Sequence, residues 1–508
     1  MRTQKTILNL VYALGSSLLL MLLGFATRRL LVFNFGNDIT AASQVVDKLF
    51  NFFSIAEFGV GSVISYRLYE QIAAKDTEKI SKYMSMYKWA YRAVGVVICV
   101  LAGIGALALP WIMPGVASIQ TAYTVYLLNT ISTLSGYFLV TRRLMYTCTQ
   151  QGYLCTRIDF CFNVANYLAR IAIALWLPNY ILYFGVSILF NTGANLVVAA
   201  RYKKDFPELH EVKVTLRDFK DLGIFHDLKY YLVHRLSNTI YGSPSDPTVP
   251  SRMAGSAMTA NLGNYTTVSD SATNIGNKIM DSFAAAIGNI VYDKSATANA
   301  HDKQVFWGLD LFSYFFGSFV ATAYLCLFQP FISLWMGSDR LLPLGFVIVF
   351  SLNEYVGWNH RMLGSYRAVL GHFEQDQWFM VASAATNLIL SFALFPAFGI
   401  TGIVAATVVA HCIMWVGRGI VVCRQYMRGS GWRYLRVQAV HLVTLVVLMA
   451  GSYRVCALLS GGILGLLGRA VVVCILPNVL NLAFYIWTSD AAYLRTQAGR
   501  LWQKITHR

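Results

Sequence analysis

Charge is scarce in this 508-residue chain. Asp, Glu, Lys and Arg together make up 13% of it, about half of the ~25% usual in a soluble domain. With a hydrophobic content of 56% and a mean hydropathy of +0.52, that scarcity excludes a disordered chain and argues against a soluble globular one. The nine cysteines contain no CxxC pair and lie mostly in apolar segments, so they read as small buried apolar residues rather than a zinc site or a disulfide framework. A Walker A loop is absent, and no HExxH or GxSxG stands in a fitting context, which argues against ATP hydrolysis and against a hydrolase. Long basic runs interleaved with aromatics are missing too. The net charge of +17 therefore points to basic cytoplasmic loops, not to nucleic acid. No connecting segment is large; the longest is roughly 201–227. An extramembrane catalytic domain has no room, no cofactor is expected, and any activity belongs inside a helical bundle or at its mouths.

Long apolar runs are what the chain has instead. A spanning helix needs about 20 mainly apolar residues. Windows of that size predict spans near 7–27, 43–65, 89–113, 120–144, 157–177, 180–200, 228–243, 257–290, 305–334, 341–362, 378–396, 400–423, 437–457 and 462–487. The first follows Arg2 and Lys5 and is too long for the apolar core of a signal peptide, about 7–15 residues. With the N-terminus placed in the cytoplasm, Lys and Arg concentrate in cytoplasmic segments. Outside stand Arg28, Arg29, Arg252 and Arg340. The skew predicts an even number of spans and two cytoplasmic termini. The seventh and eighth spans are the weakest, because Gly242–Pro250 holds three prolines that break a continuous helix.

A shift of 219 residues superposes parts of the chain on one another. Arg142 falls on Arg361, Leu144 on Leu363, Gly152 on Gly371 and Gly36 on Gly255. Six spans per repeat make the copies insert the same way up, as two lobes related by an axis along the membrane normal. The expected architecture is an all-α polytopic membrane protein. Spans 1–6 form an N-terminal lobe over 1–205, spans 7–12 a C-terminal lobe over 206–425, and 426–508 carries two additional spans and a tail. Two such lobes would face a shared cavity and rock around it.

Ionisable residues inside spans cost about 2.5–3.5 kcal/mol on insertion scales and so mark pathways. The second span carries Asp47, Lys48, Asn51 and Glu57; the eighth carries Asn261, Asn264, Asp270, Asn274, Asn277, Lys278 and Asp281. Steps of three and four residues place Asp270, Asn274, Asn277, Lys278 and Asp281 on one helix face. These two spans are counterparts in the repeat, and a polar stripe on both fits two walls of one cavity. Arg92, Arg235, Arg418 and Arg469 lie near predicted ends and are expected to be snorkelling anchors.

Several stretches carry a resemblance. Thr27-Arg28-Arg29, then Phe35-Gly36, then Ala56-Glu57-Phe58-Gly59-Val60-Gly61-Ser62 are similar to segments of the polysaccharide transporter (PST, Wzx-like) family of the MOP flippase superfamily. In the second half Ser245-Asp246-Pro247, Ser251-Arg252, Leu262-Gly263-Asn264-Tyr265 and Ala286-Ile287-Gly288-Asn289 fit in the same order. The resemblance covers about 1–425; the last two spans match by hydropathy only. It implies a flippase that moves undecaprenyl-diphosphate-linked oligosaccharides across the membrane, working as a monomer beside a polysaccharide polymerase and glycosyltransferases, in the bacterial inner membrane. It implies cavity cations for the anionic headgroup. Arg28 and Arg252 stand on the family's basic positions, while Lys48 and Lys278 are candidates by location alone. Asp47, Glu57, Asp246 and Asp270 are the acidic candidates, for lining the cavity or for ion coupling. Departures from the family's pattern are the charged pair Asp47-Lys48, and Pro247 and Pro250 in a strip that is otherwise apolar. The rival readings are a MATE-like cation-coupled drug exporter and a lipid II flippase.

Overall fold

A computed structural model describes the backbone of residues 2–57, 60–114, 116, 118–221, 248–291, 298–370, 377–425, 431–496, 499 and 503. Among them helices account for nearly everything and no strand occurs, the all-α architecture expected. The helices are α1 (Arg2–Phe53), α2 (Val60–Ala74), α3 (Thr77–Ile112), α4 (Ile119–Leu139), α5 (Arg143–Cys148), α6 (Gly152–Trp176), α7 (Tyr180–Asp205) and α8 (Leu216–Asp221). They continue as α9 (Thr248–Val291), α10 (Ala298–Met336), α11 (Leu344–Leu370), α12 (Gln377–Phe398), α13 (Ile400–Gln425), α14 (Gly431–Ala457) and α15 (Gly462–Tyr485).

Nine helices among the described residues are long and apolar enough to cross a membrane. Helices α4, α9 and α11 have the length as well, with 21, 44 and 27 residues at a 1.5 Å rise per residue. Large apolar side chains stand exposed along these helices, Leu107, Trp176, Leu189, Ile389, Val447 and Leu464 among them, as a lipid-facing surface requires. The predicted seventh span, 228–243, lies outside the described residues.

The boundaries follow local chemistry. Asp76 caps α3 by accepting from the Lys79 amide at 3.0 Å, and Asn179, just after Pro178, caps α7 by accepting from the Ile181 and Leu182 amides at 2.9 and 3.2 Å. One expectation is corrected. The segment 28–42, read as a loop between the first two spans, is helical on both sides of a single residue, Gly36. The predicted second span in turn breaks at a 3₁₀ turn, Ser54–Glu57, before α2 begins.

The chain divides into two compact units, Met1–Thr239 with Asp246–Thr267, and Ile240–Ser245 with Val268–Arg508. In the first, Val45, Val46, Phe50 and Phe53 of α1 pack with Ile98 and Leu109 of α3, Val125 and Tyr126 of α4 and Tyr183 of α7. A smaller cluster joins Ile64 and Leu68 of α2, Met84 and Tyr87 of α3 and Phe219 of α8. An ion pair of 2.6 Å between Lys82 and Asp218 holds α8 in place.

In the second unit the two helices outside the repeat, α14 and α15, dock on α10 along a buried polar seam. Asp310, Tyr314 and Ser318 share one face of α10 at four-residue steps. Gln438 Nε2 donates to both Asp310 oxygens at 3.0 and 2.8 Å. The Tyr314 ring stacks on His441, with centroids 4.2 Å apart. The Tyr314 hydroxyl donates to Asn481 Oδ1 at 3.0 Å, and Asn481 Nδ2 donates to Ser318 Oγ at 3.0 Å. Polar bonds of this kind between membrane helices contribute about 0.6 kcal/mol each on average, so the seam specifies where the pair docks more than it drives docking.

Candidate functional site

Gly36 organises the first part of the site. Its backbone, φ 82° and ψ −179°, lies in a region that essentially only glycine occupies. The helix turns there within one residue and resumes. Gly255 in α9 has φ 82° and ψ 177°, the same state at the position predicted to be its repeat counterpart. The next turns match too: Thr40 donates to Gly36 O at 2.7 Å, and Thr259 donates to Gly255 O at 2.9 Å.

Just beyond these turns α1 and the start of α9 meet. Arg28 is buried, at 9% exposure. Its Nε donates to Asn264 Oδ1 at 3.2 Å and its Nη2 to Ala260 O at 2.8 Å. The Gln44 amide satisfies both of its neighbours with its oxygen facing the two Arg28 Nη atoms, 2.6 Å from Nη1, and its nitrogen donating to Thr259 O at 2.9 Å. These acceptors are all neutral oxygens. Gly263, the repeat counterpart of Gln44, makes the approach possible: a Cβ there would lie 2.5 Å from Arg28 Nη2 and closer still to the Gln44 amide. Ser256 Oγ donates to Asp38 Oδ1 nearby.

A second cation stands close. The Arg170 guanidinium lies 4.1 Å from the centroid of the Tyr183 ring, a cation–π contact, and Tyr183 donates to Thr27 O at 3.1 Å. Asp47 lies within electrostatic range of Arg170, Lys48 and Arg28. Asp47 has an exposed side chain and Lys48 a half-buried one, so the charged pair lines an open surface of the first unit.

The remaining candidates are spread out. Arg252 is exposed and lies over the Trp111 ring, 5.0 Å from its centroid. Glu57 is half-buried in the 3₁₀ turn and accepts from the Tyr137 hydroxyl at 2.7 Å. Asp270 is exposed on α9. Lys278 lies on α9 with its side chain outside the described residues, and Asp246 lies outside them altogether. The structure thus brings Arg28, Asp47 and Lys48 together with Arg170, which window reading passed over as one of several arginines in or near spans.

Other buried polar groups were not anticipated. Glu354 on α11 is 7% exposed and accepts from Ser269 Oγ at 3.0 Å. Arg418, expected at a membrane interface, is instead 3% exposed, with Nη1 2.6 Å from His360 Nε2. Position near a window's end says nothing about which way the helix face points, and here the face points into α11. Arg469, two turns into α15, donates to the Cys456 and Leu459 carbonyls at the end of α14 at 3.0 and 2.9 Å.

No protein-family model and no curated protein matches this sequence. Solved structures do. A lipid II flippase, MurJ, in an inward closed conformation aligns with a TM-score of 0.66 at 13% identity, over 94% of this chain and 99% of that one. A MATE transporter of Vibrio cholerae, VcmN, aligns with a TM-score of 0.52 at 13% identity, over 81% and 98%. An inward-facing multidrug resistance MATE family transporter of the MOP superfamily aligns with a TM-score of 0.51 at 13% identity, over 78% and 93%. The chain has the fold that these membrane transporters share.

Proposed function

We propose that the protein is a flippase for a polyprenyl-diphosphate-linked oligosaccharide, carrying complete repeat units from the inner to the outer leaflet of a bacterial inner membrane for capsule, exopolysaccharide or O-antigen assembly. The observation that carries this reading is the buried Arg28 near the exposed Asp47 and the half-buried Lys48, on the basic position of the polysaccharide-transporter motif and within a fold shared with a lipid II flippase.

In this reading the diphosphate enters the helical bundle while the lipid tail stays in the bilayer. Guanidinium and ammonium groups bind phosphate by charge-assisted hydrogen bonds; Arg28, Lys48, Arg252 and Lys278 take that role, and hydroxyl and amide side chains meet the sugars. Rocking of the lobes then presents the headgroup outside. An inside-negative potential assists an anion moving outward by about 2.3 kcal/mol per charge per 100 mV. Ion coupling falls to Asp47, Glu57, Asp246 or Asp270. Both termini are cytoplasmic, and the partners are the polymerase and the glycosyltransferases of the same assembly line.

Lipid II is the second reading, favoured by the alignment over 94% of the chain with a flippase for that lipid. Deleting the gene and analysing membrane lipids by mass spectrometry tests the reading. Accumulated undecaprenyl-diphosphate oligosaccharide of full repeat length, relieved by the intact gene and not by Lys48→Ala, supports it. Accumulated lipid II moves the assignment to the second reading. Unchanged lipid intermediates with raised drug sensitivity favour a drug exporter.

A further inference from the structure

The seam between α10 and α14 contains a carboxyl group whose hydrogen bonding is incomplete as an anion. Asp310 and Gln438 are 3% and 4% exposed. The Gln438 amide nitrogen is shared between both carboxyl oxygens, at 3.0 and 2.8 Å, while the Gln438 carbonyl oxygen is buried without a partner. An ionised carboxylate has acceptors only, so it cannot serve that orphaned oxygen. A neutral carboxylic acid can. Its O–H donates to Gln438 Oε1 while Gln438 Nε2 donates to the other oxygen, and a small rotation of the amide closes a two-bond acid–amide ring. The neutral form thus satisfies every polar atom of the pair, and the charged form leaves one unpaired in a membrane interior.

Among the described residues no cation forms an ion pair with Asp310. Among the described residues, the groups in electrostatic contact with Asp310 include Tyr355 of α11, Cys423 of α13, Tyr434 of α14 and Asp490 beyond α15. Each is ordinarily neutral or acidic at pH 7. Arg433 at the start of α14 is instead 3.4 Å from Asp490 and lies over the Trp307 ring at 4.6 Å.

We propose that Asp310 is a proton-binding site: it carries its proton while α14 is docked on α10, and gives it to water entering the seam when α14 withdraws. The proton is the ligand, and the readout is the docking of the two helices that stand outside the repeat. This site is separate from Asp47, Glu57, Asp246 and Asp270, and it does not depend on which lipid is carried.

Difference infrared spectroscopy of the purified protein in lipid nanodiscs tests it. The carbonyl stretch of a buried protonated carboxyl group is expected at neutral pH, lost in Asp310→Asn and shifted in Gln438→Leu. Thermal stability of the wild type is expected to fall as pH rises, and Asp310→Asn is expected to remove that dependence. Asn reproduces the neutral acid's shape and its donor to Gln438, so its failure to fold contradicts the proposal. Absence of an Asp310 carboxyl band at neutral pH, or an unchanged pH dependence in the Asn variant, overturns it as well.

Discussion

Gly36 and Gly255, 219 residues apart, adopt one backbone state, with φ 82° at both. Each interrupts a helix at the same point of its repeat, and each is followed four residues later by a threonine bonded back to the glycine carbonyl. Replacing either glycine by alanine forces an L side chain into that state, at a cost of about 1–3 kcal/mol. The expected result is a lower melting temperature for Gly36→Ala and for Gly255→Ala in detergent. Gly103→Ala, inside α3 with open space around it, is expected to be neutral or stabilising by up to about 1 kcal/mol.

Gly263 and Gln44 approach too closely for any side chain at 263. Gly263→Ala is expected to cost about 1–3 kcal/mol by overpacking. Combining it with Gln44→Ala frees space and returns part of that loss. A double-mutant cycle on thermal stability measures the coupling; strictly additive losses contradict the geometry.

Arg28 donates through Nε and both Nη atoms to three residues. Lysine keeps the charge and loses the fork. Arg28→Lys is therefore expected to lose stability by about 1.5–3 kcal/mol, the scale of a hydrogen bond to a charged group. The observable is the unfolding midpoint. A lysine variant as stable as wild type shows that charge alone matters here.

The connection after α7 is held by carboxylates outside the spans. Asp218 accepts from the Thr215 amide and hydroxyl at 2.8 Å and pairs with Lys82, which pushes its carboxyl below the ordinary range. Glu211 is lowered chiefly by Lys88. A lowered carboxyl stabilises the folded segment above the ordinary carboxylate range, and that contribution fades as pH falls from there. Hydrogen exchange over residues 206–221 is expected to show protection that holds near neutral pH and declines only in acid. Asp218→Asn is expected to show weaker protection already at pH 7.

Much of the fold was legible because hydropathy is a property of whole windows. Spanning length, an all-helical chain and the 219-residue repeat need no knowledge of which residues touch. Gly36 was legible as a repeat marker but not as the reason that no loop follows the first span, since a one-residue turn leaves no polar signature. Asp310, Glu354 and His360, and the burial of Arg418, were not legible for a different reason. Each lies in or beside an apolar run, and a partner such as Gln438 for Asp310 is 128 residues away. Arg28 was found because a motif marked it; Arg170 had no motif, and only the ring of Tyr183 beneath it shows its place.

Translocation by the purified protein tests the central claim most directly. Proteoliposomes would carry an undecaprenyl-diphosphate oligosaccharide, with a membrane-impermeant glycosidase reporting headgroups that reach the far leaflet. Wild type is expected to expose the substrate faster than empty liposomes, with Lys48→Ala slowed at equal incorporation and unchanged melting temperature. Equal rates with and without the wild-type protein would contradict the account.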